Sequence, residues 1–272
     1  MKEEKPNTKT LGQLGLTLPI FSGSTDRSFS FKEWDMETEE KLSDLQSKSK
    51  NVGEFVRQMM NLLLDEFQGK AWENYSEEEK IITLSQLHFP NMMYLYIALR
   101  VEELGHELSF DAITCPSCKK IIKDFIADLR TLDVICKDSE DELVKEYDLK
   151  KPIVLENGKT VTGLKIGVTK WGALESVPAE KAGNGATVKK ALFESSIQGA
   201  LDNGKPFEGF VDLKTLVKKI KKVDIEKIGS LITKNNGGPD MTVGGKCPHC
   251  NAEFVKPIDW GYELFFDSSS LS

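Results

Sequence analysis

Four of the five cysteines fall into two copies of one motif, Cys115-Pro-Ser-Cys118 and Cys247-Pro-His-Cys250. The segments behind them also rhyme, Lys119-Lys-Ile-Ile-Lys against Asn251-Ala-Glu-Phe-Val-Lys256. A Cys-x-x-Cys turn aims two sulfurs at one point, and two such turns supply the tetrahedral four-thiolate set that zinc prefers, with Zn–S near ~2.3 Å. The spacing therefore predicts one structural Zn²⁺ held by Cys115, Cys118, Cys247 and Cys250. A site filled by four protein ligands has no position for water or substrate, so its expected role is to hold the chain together. The intervening stretch, residues 119–246, far exceeds the ~15–20 residues of a simple zinc ribbon, so the ribbon is split by a large insertion. Two separate redox pairs and an iron–sulfur cluster remain as alternatives. A redox motif, however, normally opens a helix after a strand, whereas each pair here follows an extended or Gly-rich stretch and precedes another. His249, inside the second turn, is an alternative ligand, but with four thiolates present it reads as an exposed filler. Cys136 stands alone and reads as a small buried hydrophobe.

Other chemistry is poorly represented. The three histidines, His88, His106 and His249, accompany no nucleophile elbow, HExxH or Ser-His-Asp order. Gly183-Asn-Gly-Ala-Thr-Val-Lys-Lys190 lacks phosphate-loop spacing. Asp124, Asp128 and Asp133 read as caps or a solvated face. No catalytic residue and no small-molecule substrate site is expected.

The elements that must position the cysteines follow from periodicity. Residues 1–50 read as an N-terminal extension with short extended pieces, a solvated leader demoted from central strand by Pro19, then a charged helix from about Met36. Val52, Phe55, Val56, Met59, Leu62, Leu63 and Phe67 recur at helical spacing and predict a buried helix over 52–67. Ser76 and Glu79 form a capping box for a second helix; Pro90 ends it, and a third runs over 91–105. Met92, Met93, Tyr94 and Tyr96 sit at helical spacing and read as core. These helices make a domain over 51–110, followed by a zinc-bearing domain over 111–272. Within the latter, residues 137–151 read as helix and exposed loop, and residues 153–162 as a hairpin turning on the positive φ angles of Asn157-Gly158. Residues 178–190 read as a loop, 193–201 and 213–232 as helical, and the lysines of 214–227 as a solvated face. The fold class is α+β: an N-terminal helical part, then a split Cys₄ zinc ribbon carrying an inserted hairpin and helices.

Composition supports a globular chain: 39% of its 272 residues are hydrophobic and 29% charged. The formal charge of −7 disfavours nucleic acid as a general partner. The longest apolar runs, at 59–64 and 81–87, fall short of the roughly 20 residues of a membrane span, and the polar first residues do not read as a signal peptide, so synthesis in a cytoplasm is expected.

Taken in order, the helix 91–105 with Ala98-Leu-Arg100 and Leu104-Gly105, the knuckle at 110–118, Asp128-Leu-Arg-Thr-Leu-Asp-Val134, the hairpin, Gly237-Gly-Pro239, the second Cys-Pro-x-Cys and Phe265-Phe266 resemble the baseplate hub assembly proteins of contractile-tailed bacteriophages of the T-even (myovirus) type. The resemblance covers roughly residues 90–272. It implies a non-enzymatic baseplate hub component or hub assembly factor, with other phage tail and baseplate hub proteins as partners, acting in the host cytoplasm during assembly and, if a component, in the virion tail baseplate. The family's cysteine pairs map onto Cys115, Cys118, Cys247 and Cys250 and no other functional residue is carried over. The departure is the longer N-terminal portion, residues 1–50, for which the resemblance places no counterpart. A zinc-ribbon module that binds nucleic acid, recognisable by a basic face and salt-dependent binding, is the competing expectation.

Overall fold

The fold is that of a computed structural model; the structure describes residues 7–181 and 185–258. The aromatic pair Phe265-Phe266 lies outside the described residues. Helices and antiparallel sheets are mixed along the chain, in keeping with an α+β class.

Of the first fifty residues, those described, 7–50, contribute to the core. Strand Asn7–Thr10 pairs antiparallel with Asp133–Cys136, whose other edge takes Gly238–Pro239. Leu11, Leu18, Phe29 and Leu42 are buried in the principal core, which corrects the solvated leader. Their apolar spacing is too irregular to score as amphipathic, yet each meets the helices that follow. The same core takes Leu63, Leu95, Leu129, Val243 and Ile258, so it crosses the boundaries expected at 50 and 110.

Helix Met36–Lys48 is capped by Asp35 and helix Val52–Leu63 by Asn51, each side chain accepting from a first-turn amide. The latter stops short of Phe67. Leu64–Phe67 is a strand, with Phe67 opposite Phe29 and a tight turn following at Gln68 (φ 53°) and Gly69 (φ 73°). Pairing with Phe29–Phe31 satisfies this backbone in place of another helical turn. The Ser76 capping box forms as expected ahead of helix Glu77–Gln86. Pro90 does not separate two helices but lies in the first turn of Phe89–Leu104, where its missing N–H costs nothing. Residues 90–100 of that helix are all buried, including Met92, Met93, Tyr94 and Tyr96 as expected; a helix buried all round is a core element.

The insertion carries its own sheet, in the order Lys205–Pro206, Ile197–Asp202, Thr160–Ile166, Lys145–Val154. Helices Gly185–Ser196, Leu213–Lys219 and Lys222–Asn236 cover it through Phe193, Leu216, Ile228 and Ile232. Four expectations are corrected here. Residues 145–151 are strand, residues 197–201 are strand, a helix replaces the loop from Gly185 onward, and the helical run from 213 breaks at Ile220. Alternation in 197–201 is too short to outweigh the helical signal before it, and only pairing with Thr160–Ile166 settles it. The hairpin at 153–162 forms, but only Gly158 has a positive φ (79°). Asn157 instead accepts the Lys159 amide at 3.0 Å, a side-chain turn that leaves its own φ ordinary. Asp224, expected on a solvated face, is buried and accepts from Tyr147 Oη at 2.9 Å and the Lys150 amide at 2.9 Å.

Insertion and principal core are clamped by Arg57 Nε on Glu175 Oε2 at 2.7 Å and by Trp171 Nε1 donating to the Gly53 carbonyl at 2.9 Å. Among the described residues, no helix is long and apolar enough to cross a membrane.

Candidate metal centre

Each cysteine pair sits at the tip of a two-stranded hairpin, Glu107–Thr114 with Ile121–Asp128 and Thr242–Lys246 with Glu253–Pro257. The two tips repeat the same backbone plan. Cys115 donates its amide to the Lys120 carbonyl at 2.9 Å and accepts at its own carbonyl from Lys119 at 3.1 Å. Cys247 does the same with Ala252 at 2.9 Å and Asn251 at 2.8 Å. The residue after each second cysteine is left-handed, Lys119 at φ 62° and Asn251 at φ 57°. That is a costly conformation for a side-chain-bearing residue, and it recurs where a surrounding structure demands it. The echo seen between the two sequence segments is therefore a structural repeat: Ile122 and Phe254 occupy matching positions, and both are buried.

The four sulfurs converge. Cys115 Sγ lies 3.8 Å from Cys250 Sγ, Cys118 Sγ lies 3.8 Å from Cys247 Sγ, and all four are within 4.8 Å of one another. A disulfide needs about 2.05 Å, so these are thiol contacts. A tetrahedron with metal–sulfur bonds of ~2.3 Å has edges of ~3.8 Å, the separation found across both pairs. The arrangement fits one metal ion, with every coordination position filled by the chain. Cys115 and Cys247 are buried, Cys118 is half-buried and Cys250 exposed, so the site sits at the edge of the ribbon.

No protein-family model, curated protein or solved structure matches this chain.

The electrostatics explain why a cation belongs here. The amide of Cys118 donates to the Cys115 sulfur, and with the Ser117 amide and the neighbouring Cys247 and Cys118 thiols it outweighs burial, bringing Cys115 down to about 6. At Cys118 the Lys120 amide pulls the same way, but burial and the thiols of Cys250, Cys115 and Cys247 outweigh it and push that group up to about 11. One thiol of the set ionises readily and its neighbour resists. A bound metal cation supplies the charge that lets all four be thiolates together.

A small apolar cluster backs the sulfurs: Ile113, Ile122 and Phe254 are buried beside Cys115 and Cys247, with Phe110 and Phe125 packed on them. The Phe125 and Phe254 rings meet edge to face at 5.2 Å. Gly245 is part of this arrangement, because a Cβ there would lie 3.0 Å from Phe125 Cε2 and 3.1 Å from Phe254 Cζ. Sequence reasoning passed over Gly245 and Phe254; the signal was their place beside the repeated motif. His249 is exposed, and its Nε2 lies 3.3 Å from the Ile121 carbonyl, so it ties one hairpin tip to the other and stands outside the four-sulfur set. Cys136 is buried away from the cluster, and burial first of all raises its thiol. Asp128 caps a short turn and holds Arg130 at 2.7 Å, which together keep its carboxyl low, at about 2.

Proposed function

We propose that this chain is a non-enzymatic component or assembly factor of a phage tail baseplate hub, and that one structural zinc ion makes its split ribbon a rigid surface for docking other tail and baseplate hub proteins. The observation that carries the reading is the closed four-sulfur cluster joining hairpins from distant parts of the chain. A metal with no open position supplies cohesion and not catalysis. Zinc is chosen over iron because both tips hang on isolated hairpins with a solvent-facing edge, where a redox-inert d¹⁰ ion keeps its geometry. The assignment to the baseplate hub rests on the ordered resemblance across residues 90–272 and is analogy in kind. It carries with it action in the host cytoplasm during assembly; a hub component would go on into the virion tail baseplate and an assembly factor would not.

The competing nucleic-acid reading draws on exposed Lys119, Lys120, Lys123 and Lys246 beside the tips. Four thiolates around a dication leave a net negative charge, and these lysines offset it locally, so little basic field is left over for phosphate. A nonsense mutation of the gene in a phage that carries it tests the proposal. The expected result is filled heads without tails, with rescue by the wild-type chain and none by C115S/C247S. Tailed, infectious particles at normal yield would refute it, as would strongly salt-dependent nucleic-acid binding by the purified chain.

A further inference from the structure

On the side of the molecule where the N-terminal segment, helix Glu77–Gln86 and the insertion meet, a cleft of about 500 Å³ is lined by residues that include Phe21, Val144, Gln86, Gln198, Lys170 and Glu140. That volume falls within the range of ligand sites. The backbone of Lys170 is fixed by its bridge to His88 and by its amide donating to Ser195 Oγ at 2.9 Å. Lys170 is half-buried, and its ammonium has no hydrogen-bond or ion-pair partner among the described residues. Glu140 shares the cleft but forms no ion pair with it. A cation withdrawn from water and left without a counter-charge is an unstable choice unless something outside the chain completes it.

The surroundings narrow the chemistry. His88, in the same wall, is held at about 4 by burial first and then by the Lys170 and Lys137 ammonium groups, so its ring stays neutral. Lys137 itself is turned away onto the Glu142 carbonyl at 2.9 Å and Asn235 Oδ1 at 2.6 Å. One cation, one carboxylate, the side-chain amides of Gln86 and Gln198 and the apolar side chains of Phe21 and Val144 share the lining of the cleft. A dianion such as phosphate would set its second charge against Glu140. A single carboxylate on a backbone whose N–H groups can face Glu140 and the amides meets every part of the lining.

We propose that this cleft receives a peptide segment of a partner protein, with one Asp or Glu carboxylate on Lys170 and a neighbouring apolar side chain against Phe21 and Val144. The inference rests on the reading of the chain as a protein-docking component and names the chemistry of one partner segment. Burial, which lowers the Lys170 ammonium below its ordinary range, is relieved when the carboxylate arrives.

The test is an amide NMR titration of the zinc-loaded full chain with three probes: acetyl-Val-Glu-Gly-amide, acetyl-Val-Gln-Gly-amide and sodium acetate. The expected result is saturable shifts at Thr83, Leu87, Lys170 and Gln198 with the Glu peptide, weakened about tenfold or more in the Gln peptide, as for loss of a charged hydrogen bond. Acetate should bind the same residues more weakly than the Glu peptide. K170M should lose the effect and K145M, an exposed lysine outside the cleft, should keep it. Equal binding of the two peptides, no saturable shift, or unchanged binding by K170M would overturn the proposal, and acetate binding as tightly as the peptide would overturn the peptide as its source. The peptide comparison on the wild-type chain decides the matter even where K170M fails to fold. Failure here with the tailless phenotype intact sinks the cleft alone, and the reverse outcome sinks the hub reading alone.

Discussion

Replacing Cys247 by Ser removes one of the two buried sulfurs and with it the cross-link between the hairpins. Against a fully unfolded chain, closing a loop of about 130 residues is worth about 5 kcal/mol in chain entropy. Not all of that is lost, because Asp133–Cys136 and Gly238–Pro239 already pair near the roots of the hairpins. With that pairing intact the metal closes only the short stretches from Cys118 to Asp133 and from Pro239 to Cys247, roughly 20 residues in all, worth about 3 kcal/mol. This is a lower bound, since the metal–sulfur bonds also go. Isolated two-stranded hairpins are marginal in water, so the expected result is local opening of the ribbon with the rest of the fold retained. Hydrogen exchange on wild type and C247S measures it. Amides of Ile113, Ile122, Val243 and Phe254 should exchange at least about 100-fold faster, the equivalent of about 3 kcal/mol, while Leu95 and Leu164 hold their protection. Unchanged exchange at the hairpins would refute the cross-link. Uniform loss across all six positions would refute its local character.

Gly245→Val should drive a side chain into the Phe125 and Phe254 rings, costing about 1–3 kcal/mol; a lower metal affinity in chelator competition, with all five thiols still countable after unfolding, is the expected readout. Arg57→Met leaves the Glu175 carboxylate, only 17% exposed, without its cation, and should destabilise the clamp by about 3 kcal/mol, seen as a lower Tm with metal content unchanged. Burial holds the Lys137 ammonium at about 8, below an ordinary value of about 10.4. Between those values the unfolded chain binds the extra proton, so this group adds stability as pH rises and none is gained below 8. Relative to K137M, wild type should gain about 2 kcal/mol between pH 8 and pH 10 in denaturant titrations; a flat difference would count against it.

The metal site was readable because its information is local: the chemistry of Cys-Pro-x-Cys and its repetition say what each tip is for, and four thiols seek one ion whatever the intervening length. Ser76 and Glu79, or the burial of Tyr94, were legible for the same reason, since capping and helical spacing act within a turn or two. What failed was decided at long range. Leu64 and Phe67 keep helical spacing but meet Phe29–Phe31, residues 145–151 look charged and loop-like but pair with Thr160–Ile166, and Leu11 and Leu18 look solvated until the far strands arrive. Asp224 shows the same limit for polar groups, because the donors that justify its burial lie in a strand more than seventy residues earlier.

The sheet formed by Asn7–Thr10, Asp133–Cys136 and Gly238–Pro239 bears on how the protein is made. Its three strands leave the ribosome one after another, each more than 100 residues behind the last, and a nascent chain must hold Leu11, Leu18 and the helix Phe89–Leu104 without that closure until residue 239 has emerged. Pairings of such sequence separation form slowly, and a half-made chain exposes apolar surface while it waits. Cohesion of this part of the fold therefore waits on Gly238–Pro239, and an ion held by all four sulfurs, which needs Cys247 and Cys250, can be enclosed only after the second knuckle has emerged.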